Sequence, residues 1–194
     1  MVWYTKEYRR GGIMNLYIDF DGVVLDTITP MYKMLEEEKI DRKDSEKVVE
    51  FLKRTDYNEI IKKSPEINNS ISAIKKIIDS NKFNVNILTH VVTLEEGVVK
   101  TEFIRKYFKD ITMILVPKQI SKTKMVHTKD SILVDDYAGN LRSWEKEGGI
   151  PVRFSTKLNS KGFKVVDNLE NLIDLFWHVI IHLRKECLWI RKDI

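Results

Sequence analysis

A single cysteine, Cys187, stands among 194 residues. That scarcity excludes an intrachain disulfide framework and a cysteine-based zinc site, and it makes a reducing compartment, the cytoplasm, the simpler expectation. Proline and glycine are sparse as well, four and eight, and nowhere do they gather into a linker. With no internal repeat and no low-complexity tract, the chain is expected to build one main domain around one core. Long apolar runs are also missing. The opening MVWYTKEYRRGG is basic but leads into no apolar segment before Asp19, which argues against a signal peptide and leaves Met14 as an alternative start. The late stretch LIDLFWHVIIHLRKECLWI is interrupted by Asp174, His178, His182, Arg184, Lys185 and Glu186, so it falls short of a span of about 20 apolar residues. It reads as an amphipathic terminal helix on which a second copy of the chain could pair. Net charge is only +4, too mild to demand a polyanion; a small phosphorylated metabolite suits it as well as nucleic acid does.

What is present alternates. Apolar, β-branched runs recur at Leu16 to Phe20, Val85 to Leu88, Thr112 to Val116, Ile132 to Val134 and Val152 to Phe154. Runs of this length bounded by polar residues suit buried parallel strands. Between them, Asn69 to Ser80, Glu95 to Phe108 and Leu141 to Lys146 carry apolar residues at helical spacing. Alternation with short connections predicts an α/β doubly wound parallel sheet. One interval departs from it. From Ile28 to about Pro65 the sequence is charged and helix-prone, with Met31 to Ile40 and Ser45 to Arg54 as two candidate helices and no strand between them. Such a length predicts a small helical cap (28–65) inserted over the carboxyl end of the first strand, on a core formed by 14–27 and 66–194, with 1–13 as an N-terminal tail.

In open α/β sheets, ligands bind outside the carboxyl ends of the strands, so the polar residues that end successive apolar runs are the ones to collect. The first run ends in Asp19 and Asp21, the second in Thr89 and His90, and the fourth in Asp135 and Asp136, with Lys122 and Lys124 just upstream. Two carboxylates two residues apart can point to one side and then need a cation or a shared proton. Carboxylates from two strands converging at one edge make a hard, oxygen-only site suited to Mg²⁺ and a bound phosphate. Two adjacent acids ending an apolar strand are costly without such an ion.

The series DFDGVVLDT, ILT, Lys and DD resembles, in order and spacing, the haloacid dehalogenase-like superfamily of phosphohydrolases, over Leu16 to Phe154. The resemblance implies a Rossmann-like core, a Mg²⁺ cofactor and an aspartyl-phosphate intermediate. Asp19 would be the nucleophile, and Asp21 would give a proton to the leaving alkoxide and later take one from water. Thr89 would hold a phosphoryl oxygen, with Gly22 and the His90 backbone N–H beside it. Lys124, or failing that Lys122, would neutralise charge on the nucleophile and the transferring group. Asp19, Asp136 and the Asp21 backbone carbonyl would ligate the metal, while Asp135 would ligate it or orient its waters. The second acid favours phosphate-ester hydrolysis over dehalogenation, which needs no proton donor. The compact insertion, the short interval from Lys124 to Asp135, and the DD followed by an Asn-Leu helix start resemble the 5'(3')-deoxyribonucleotidases of bacterial and phage type. That points to a nucleoside monophosphate as substrate, with a sugar phosphate or a polynucleotide 3'-phosphate as the alternative, and a non-catalytic interaction protein that keeps the fold as the reading of a different class.

Other residues have plainer readings. Asp26 and Thr27 suit helix starts or loop bracing better than catalysis. Tyr32, Phe51 and Tyr57 either stack a nucleobase or pack the insertion. Trp144, Phe176, Trp177 and Trp189 read as packing residues or a dimer contact. His178 and His182 lack a third ligand nearby.

Overall fold

The computed structural model describes residues 13–176. Six strands form one sheet: β1 (Met14–Ile18), β2 (Phe83–Val91), β3 (Thr112–Pro117), β4 (Ile132–Asp135), β5 (Ile150–Phe154) and β6 (Lys164–Val166). All are parallel, in the order β3-β2-β1-β4-β5-β6. The chain therefore winds outward from β1 on one side, crosses back, and continues from β4 on the other. Such a reversal opens a crevice at the carboxyl ends of the two central strands. Here those strands are β1 and β4.

Helices cover both faces. Along β1, Leu16 and Ile18 face a core with Ala73, Ile74 and Ile77 of α4 (Ser70–Asp79), Ile104 of α5 (Leu94–Arg105) and Leu172 of α7 (Asn171–Leu175). Tyr17, pointing the other way as strand periodicity requires, packs with Leu133, Leu141 and Trp144 of α6 (Ala138–Lys146). Trp144 meets Tyr17 edge to face at 5.4 Å and donates its indole N–H to the Ser131 carbonyl at 3.1 Å, which matches its reading as a packing residue. Phe176 likewise packs against Phe83.

The interval after β1 holds three helices: α1 (Ile28–Glu37), α2 (Ser45–Arg54) and α3 (Tyr57–Lys63). The sequence suggests only the first two. The third has seven residues, too short for a periodic signal, and is started by Asp56, whose side chain accepts from Asn58 N. The two connections to this insertion are tied to each other: Asp26 N donates to Pro65 O and Ile67 N to Val24 O. β6 and α7, of three and five residues, also escape a periodicity reading. No helix among the described residues is long and apolar enough to cross a membrane. Trp177, Trp189, His178, His182 and Cys187, together with the tail 1–12, lie outside the described residues.

Candidate active site

Register assembles the acids. Ile18 pairs with Val134 in the parallel β1–β4 ladder, so the next residue on each strand, Asp19 and Asp135, emerges side by side. One ligand oxygen each from Asp19, Asp135 and Asp136 lie within 4.8 Å of one another. These groups come from separate parts of the chain, and Asp19 and Asp135 are buried. An oxygen-only donor set of this kind fits a hard divalent cation such as Mg²⁺. Burial raises the Asp19 carboxyl most, and Asp135, Asp21 and Asp136 add to the rise against the pull of Lys122, leaving it pushed up to about 8. Asp136 is pushed up to about 6, first by burial and then by Asp135 and Asp21. Both shifts say that the cluster wants compensating positive charge.

Lys122 supplies part of it. Its Nζ lies 2.9 Å from Asp19 Oδ1 and 2.7 Å from Asp135 Oδ2, with the side chain 2% exposed. Burial alone would lower its pKa, but Asp135 and Asp19 outweigh that and raise it. The sequence expectation favours Lys124, and here the structure corrects it: Lys124 is exposed and the lysine against Asp19 is Lys122. Both sit in one 3₁₀ turn (Lys122–Lys124), where residues two apart face different directions. Ser121 begins that turn, and the first lysine is the one directed inward.

Asp135 is held by three protein donors. It accepts from Tyr137 N at 2.8 Å, Asn140 Nδ2 at 2.8 Å and Lys122. Half-buried Asp136 has no such retinue of donors, and its neighbour is the turn at Gly22. That glycine has φ +71°, and a Cβ there would stand 2.7 Å from Asp136 Oδ2. A side chain at position 22 would strain the backbone and push into the acid cluster.

Asp21 belongs to a different constellation. Its Oδ1 accepts from Thr27 Oγ1 at 2.7 Å and from the Tyr57 hydroxyl at 2.5 Å, while Oδ2 meets Lys100 Nζ at 2.5 Å and Thr89 Oγ1 at 3.4 Å. Burial would raise its pKa, but Lys100, Tyr57 and Thr27 together hold it below the ordinary carboxylate value. The Asp21 side chain is thus committed to Thr27, Tyr57, Lys100 and Thr89 and is no member of the three-acid cluster. Thr27 braces Asp21, and Asp26 accepts from Thr29 N at the start of α1, in line with their bracing and capping readings. Thr89 is fully buried at the end of β2. His90 bonds through Nε2 to Ile120 O at 3.0 Å, and burial followed by Lys122 pushes its pKa down to about 4. At neutral pH it is therefore the uncharged tautomer donating from Nε2, with a bracing role.

Lys100 escapes the sequence reading. Burial alone would lower its pKa, but Asp21 and Glu96 raise it. Glu96 stands one helical turn earlier, with Oε1 2.7 Å from Lys100 Nζ and Oε2 taking the Val92 N–H at 2.7 Å. The signal lay in the spacing: Gly97, Lys100 and Ile104 are all buried residues of α5, so the lysine occupies its inward stripe. Of the insertion's aromatics, Phe51 is buried, Tyr32 is 40% exposed beneath the Arg42 guanidinium, and Tyr57 commits its hydroxyl to Asp21.

No protein-family model and no curated protein matches the chain by sequence. Solved structures do match by shape. A subfamily IA hydrolase of the haloacid dehalogenase superfamily from Geobacter sulfurreducens superposes with a TM-score of 0.59 at 17% identity, over 84% of this chain and 100% of that one. The chain has the fold of the haloacid dehalogenase-like hydrolases. A phosphatase of that superfamily from Thermococcus onnurineus gives 0.55 at 14% identity, over 84% of this chain and 97% of that one. A haloacid dehalogenase-like hydrolase from Bacillus subtilis, described as bound to magnesium, gives 0.53 at 12% identity over 89% and 99%. That likeness accords with the six-stranded parallel sheet.

Proposed function

We propose that this chain is a Mg²⁺-dependent phosphomonoesterase working through an aspartyl-phosphate on Asp19, with a nucleoside monophosphate as its substrate. One observation carries the reading: the oxygens of Asp19, Asp135 and Asp136 lie within 4.8 Å of one another while Lys122 touches two of the three. An attacking carboxylate and a phosphate dianion repel each other, so catalysis by this pair needs positive charge where they meet. Mg²⁺, held by Asp19, Asp136 and the Asp21 carbonyl, would lower that repulsion and orient the phosphoryl group. The B. subtilis structure of this fold, described as bound to magnesium, supports the assignment.

The chain's own groups supply the rest. Asp19 attacks phosphorus as the P–O bond to the alkoxide breaks, and Asp21, which must enter this step protonated and therefore released from its ion pair with Lys100, gives that oxygen a proton. Water then attacks the acyl phosphate and loses its proton to Asp21, which returns phosphate and restores both carboxyls. Lys122 stabilises Asp19 and the transferring group. Thr89 and the backbone N–H of His90 hold phosphoryl oxygens, and the turn at Gly22 leaves room for them. Asp135, held by three protein donors, ligates the metal through its remaining lone pair or orients its waters. Tyr57 from the insertion bounds the leaving-group side at Asp21, which supports a small ester over a polynucleotide. The lone cysteine fits a cytoplasmic enzyme.

The test is phosphate release from a panel of nucleotides, sugar phosphates and 4-nitrophenyl phosphate, with Mg²⁺ and with excess chelator. Release that requires Mg²⁺ and is fastest on nucleoside monophosphates is expected. No release from any ester defeats the reading; preference for a sugar phosphate defeats only its substrate assignment.

A further inference from the structure

Arg153 belongs to none of the motifs, yet it is a buried cation at the carboxyl end of β5, 8% exposed. Its strand neighbours Ile150, Pro151, Val152 and Phe154 are all apolar. Parallel register sets it opposite Asp135, but among the described residues it pairs with no carboxylate. The guanidinium instead holds two main-chain carbonyls: Nη1 donates to Asp136 O and Nε to Asn159 O, each at 2.6 Å. A charge enclosed without a counter-charge is costly, and an apolar residue would complete the strand without that cost.

What Arg153 holds is the base of a metal-cluster acid. The peptide between Asp136 and Tyr137 is clamped on both sides, its carbonyl by Arg153 and its N–H by Asp135 Oδ1 at 2.8 Å. With that peptide fixed, only the side-chain torsions of Asp136 stay free. Gly22 narrows even those, since a Cβ there would stand 2.7 Å from Asp136 Oδ2. The far anchor is braced as well: Asn159 N donates to Ser155 Oγ at 3.2 Å, and Ser155 N to Val166 O of β6 at 2.9 Å. We propose that Arg153 is a positioning residue that fixes the Asp136 carboxylate as a ligand for Mg²⁺, by tying its peptide to the segment that follows β5. The inference rests on the Mg²⁺ site of the proposed function.

Charge and position predict opposite signs. A guanidinium near a dication repels it, so deleting the charge by itself would tighten Mg²⁺ binding. Deleting the clamp frees the peptide beneath Asp136 and weakens binding; groups that orient a metal's ligands are worth about 10- to 100-fold in affinity. Metal-free wild type, Arg153→Lys and Arg153→Met are titrated with Mg²⁺ by calorimetry, and kcat on 4-nitrophenyl phosphate is followed against Mg²⁺ concentration. Lysine keeps the charge but lacks the planar fork, and Arg153→Lys is expected to bind Mg²⁺ about tenfold more weakly than wild type. Arg153→Met is expected to bind more weakly than wild type in spite of its lost charge. At saturating Mg²⁺ both variants should keep kcat within about threefold of wild type. A loss below about threefold in Arg153→Lys, equal or tighter binding by Arg153→Met, or a larger fall in kcat at saturating Mg²⁺ overturns the inference. Should one variant fail to fold, the other decides by the same criteria; should neither fold, Arg153 serves the fold alone and the inference falls. A wild type that binds no Mg²⁺ removes the metal site and this inference together. A wild type that binds Mg²⁺ but releases no phosphate removes the phosphomonoesterase reading and leaves this inference to be decided by the affinities.

Discussion

Replacing Lys122 by methionine keeps the buried stem and removes the cation that bridges Asp19 and Asp135, at 2.9 and 2.7 Å. Breaking a buried ion pair from one side costs about 3–5 kcal/mol, because the remaining charge stays enclosed. In a domain of this size each kcal/mol moves the midpoint by about 2–4 °C, so metal-free Lys122→Met should melt roughly 6–20 °C below wild type at pH 8. Lys124 is exposed, and Lys124→Met should stay within about 0.5 kcal/mol of wild type. The loss at position 122 should shrink at pH 5. Lys122 is what holds the already raised Asp19 carboxyl down to about 8; without it the carboxyl rises further and keeps its proton throughout neutral and acidic solution, so at pH 5 it carries no charge that needs a partner. Phosphatase turnover should fall about 10²- to 10³-fold in Lys122→Met, as when a preorganised donor to developing charge is removed. Thermal melts of both variants at the two pH values, with and without Mg²⁺, make the assay. Equal melting shifts for the two lysines, or a loss as large at pH 5 as at pH 8, would refute the reasoning.

Gly22→Ala places a Cβ 2.7 Å from Asp136 Oδ2 at a φ of +71°, so it should destabilise by about 1–3 kcal/mol and weaken Mg²⁺ binding, read by denaturant unfolding and by titration calorimetry. In the metal-free protein, Asp19 keeps its proton to about 8 and Asp136 to about 6, where the unfolded chain releases both near 3.8. Their contribution to stability is thus complete below about pH 4 and lost as pH rises through 6 and 8. Added Mg²⁺ should raise the melting temperature more at pH 8 than at pH 5; a larger rise at pH 5 would contradict the acid cluster as the metal's seat. The wild-type kcat profile should show no inflection near pH 6.5 that His90→Gln removes, because the imidazole is already neutral there.

Much of this was legible in the chain because the sheet is parallel and buried. Leu16 to Phe20 and Ile132 to Val134 read as strands because both of their faces need apolar residues, and the acids that follow them then fall at one edge. Legibility stopped where orientation depends on short-range geometry. Lys122 and Lys124 share a composition and a turn, and only the phase of three residues decides which faces Asp19. Lys100 was hidden for another reason: a lysine on an inward helical stripe is excluded by any count of apolar positions, although Glu96 four residues earlier marks its partner. Tyr57 reads as an aromatic for stacking or packing; its hydroxyl, the part that reaches Asp21 across 36 residues of sequence, is set by how α3 packs against α5 and α1.

The central claim is that Asp19 carries the phosphoryl group between substrate and water. Acid quenching within the first turnover, followed by peptide mapping by mass spectrometry, tests it most directly. The account predicts one phosphoryl adduct on Asp19, present in wild type with Mg²⁺ and absent in Asp19→Asn. Full phosphate release from wild type with no adduct on Asp19, or undiminished release from Asp19→Asn, would contradict it.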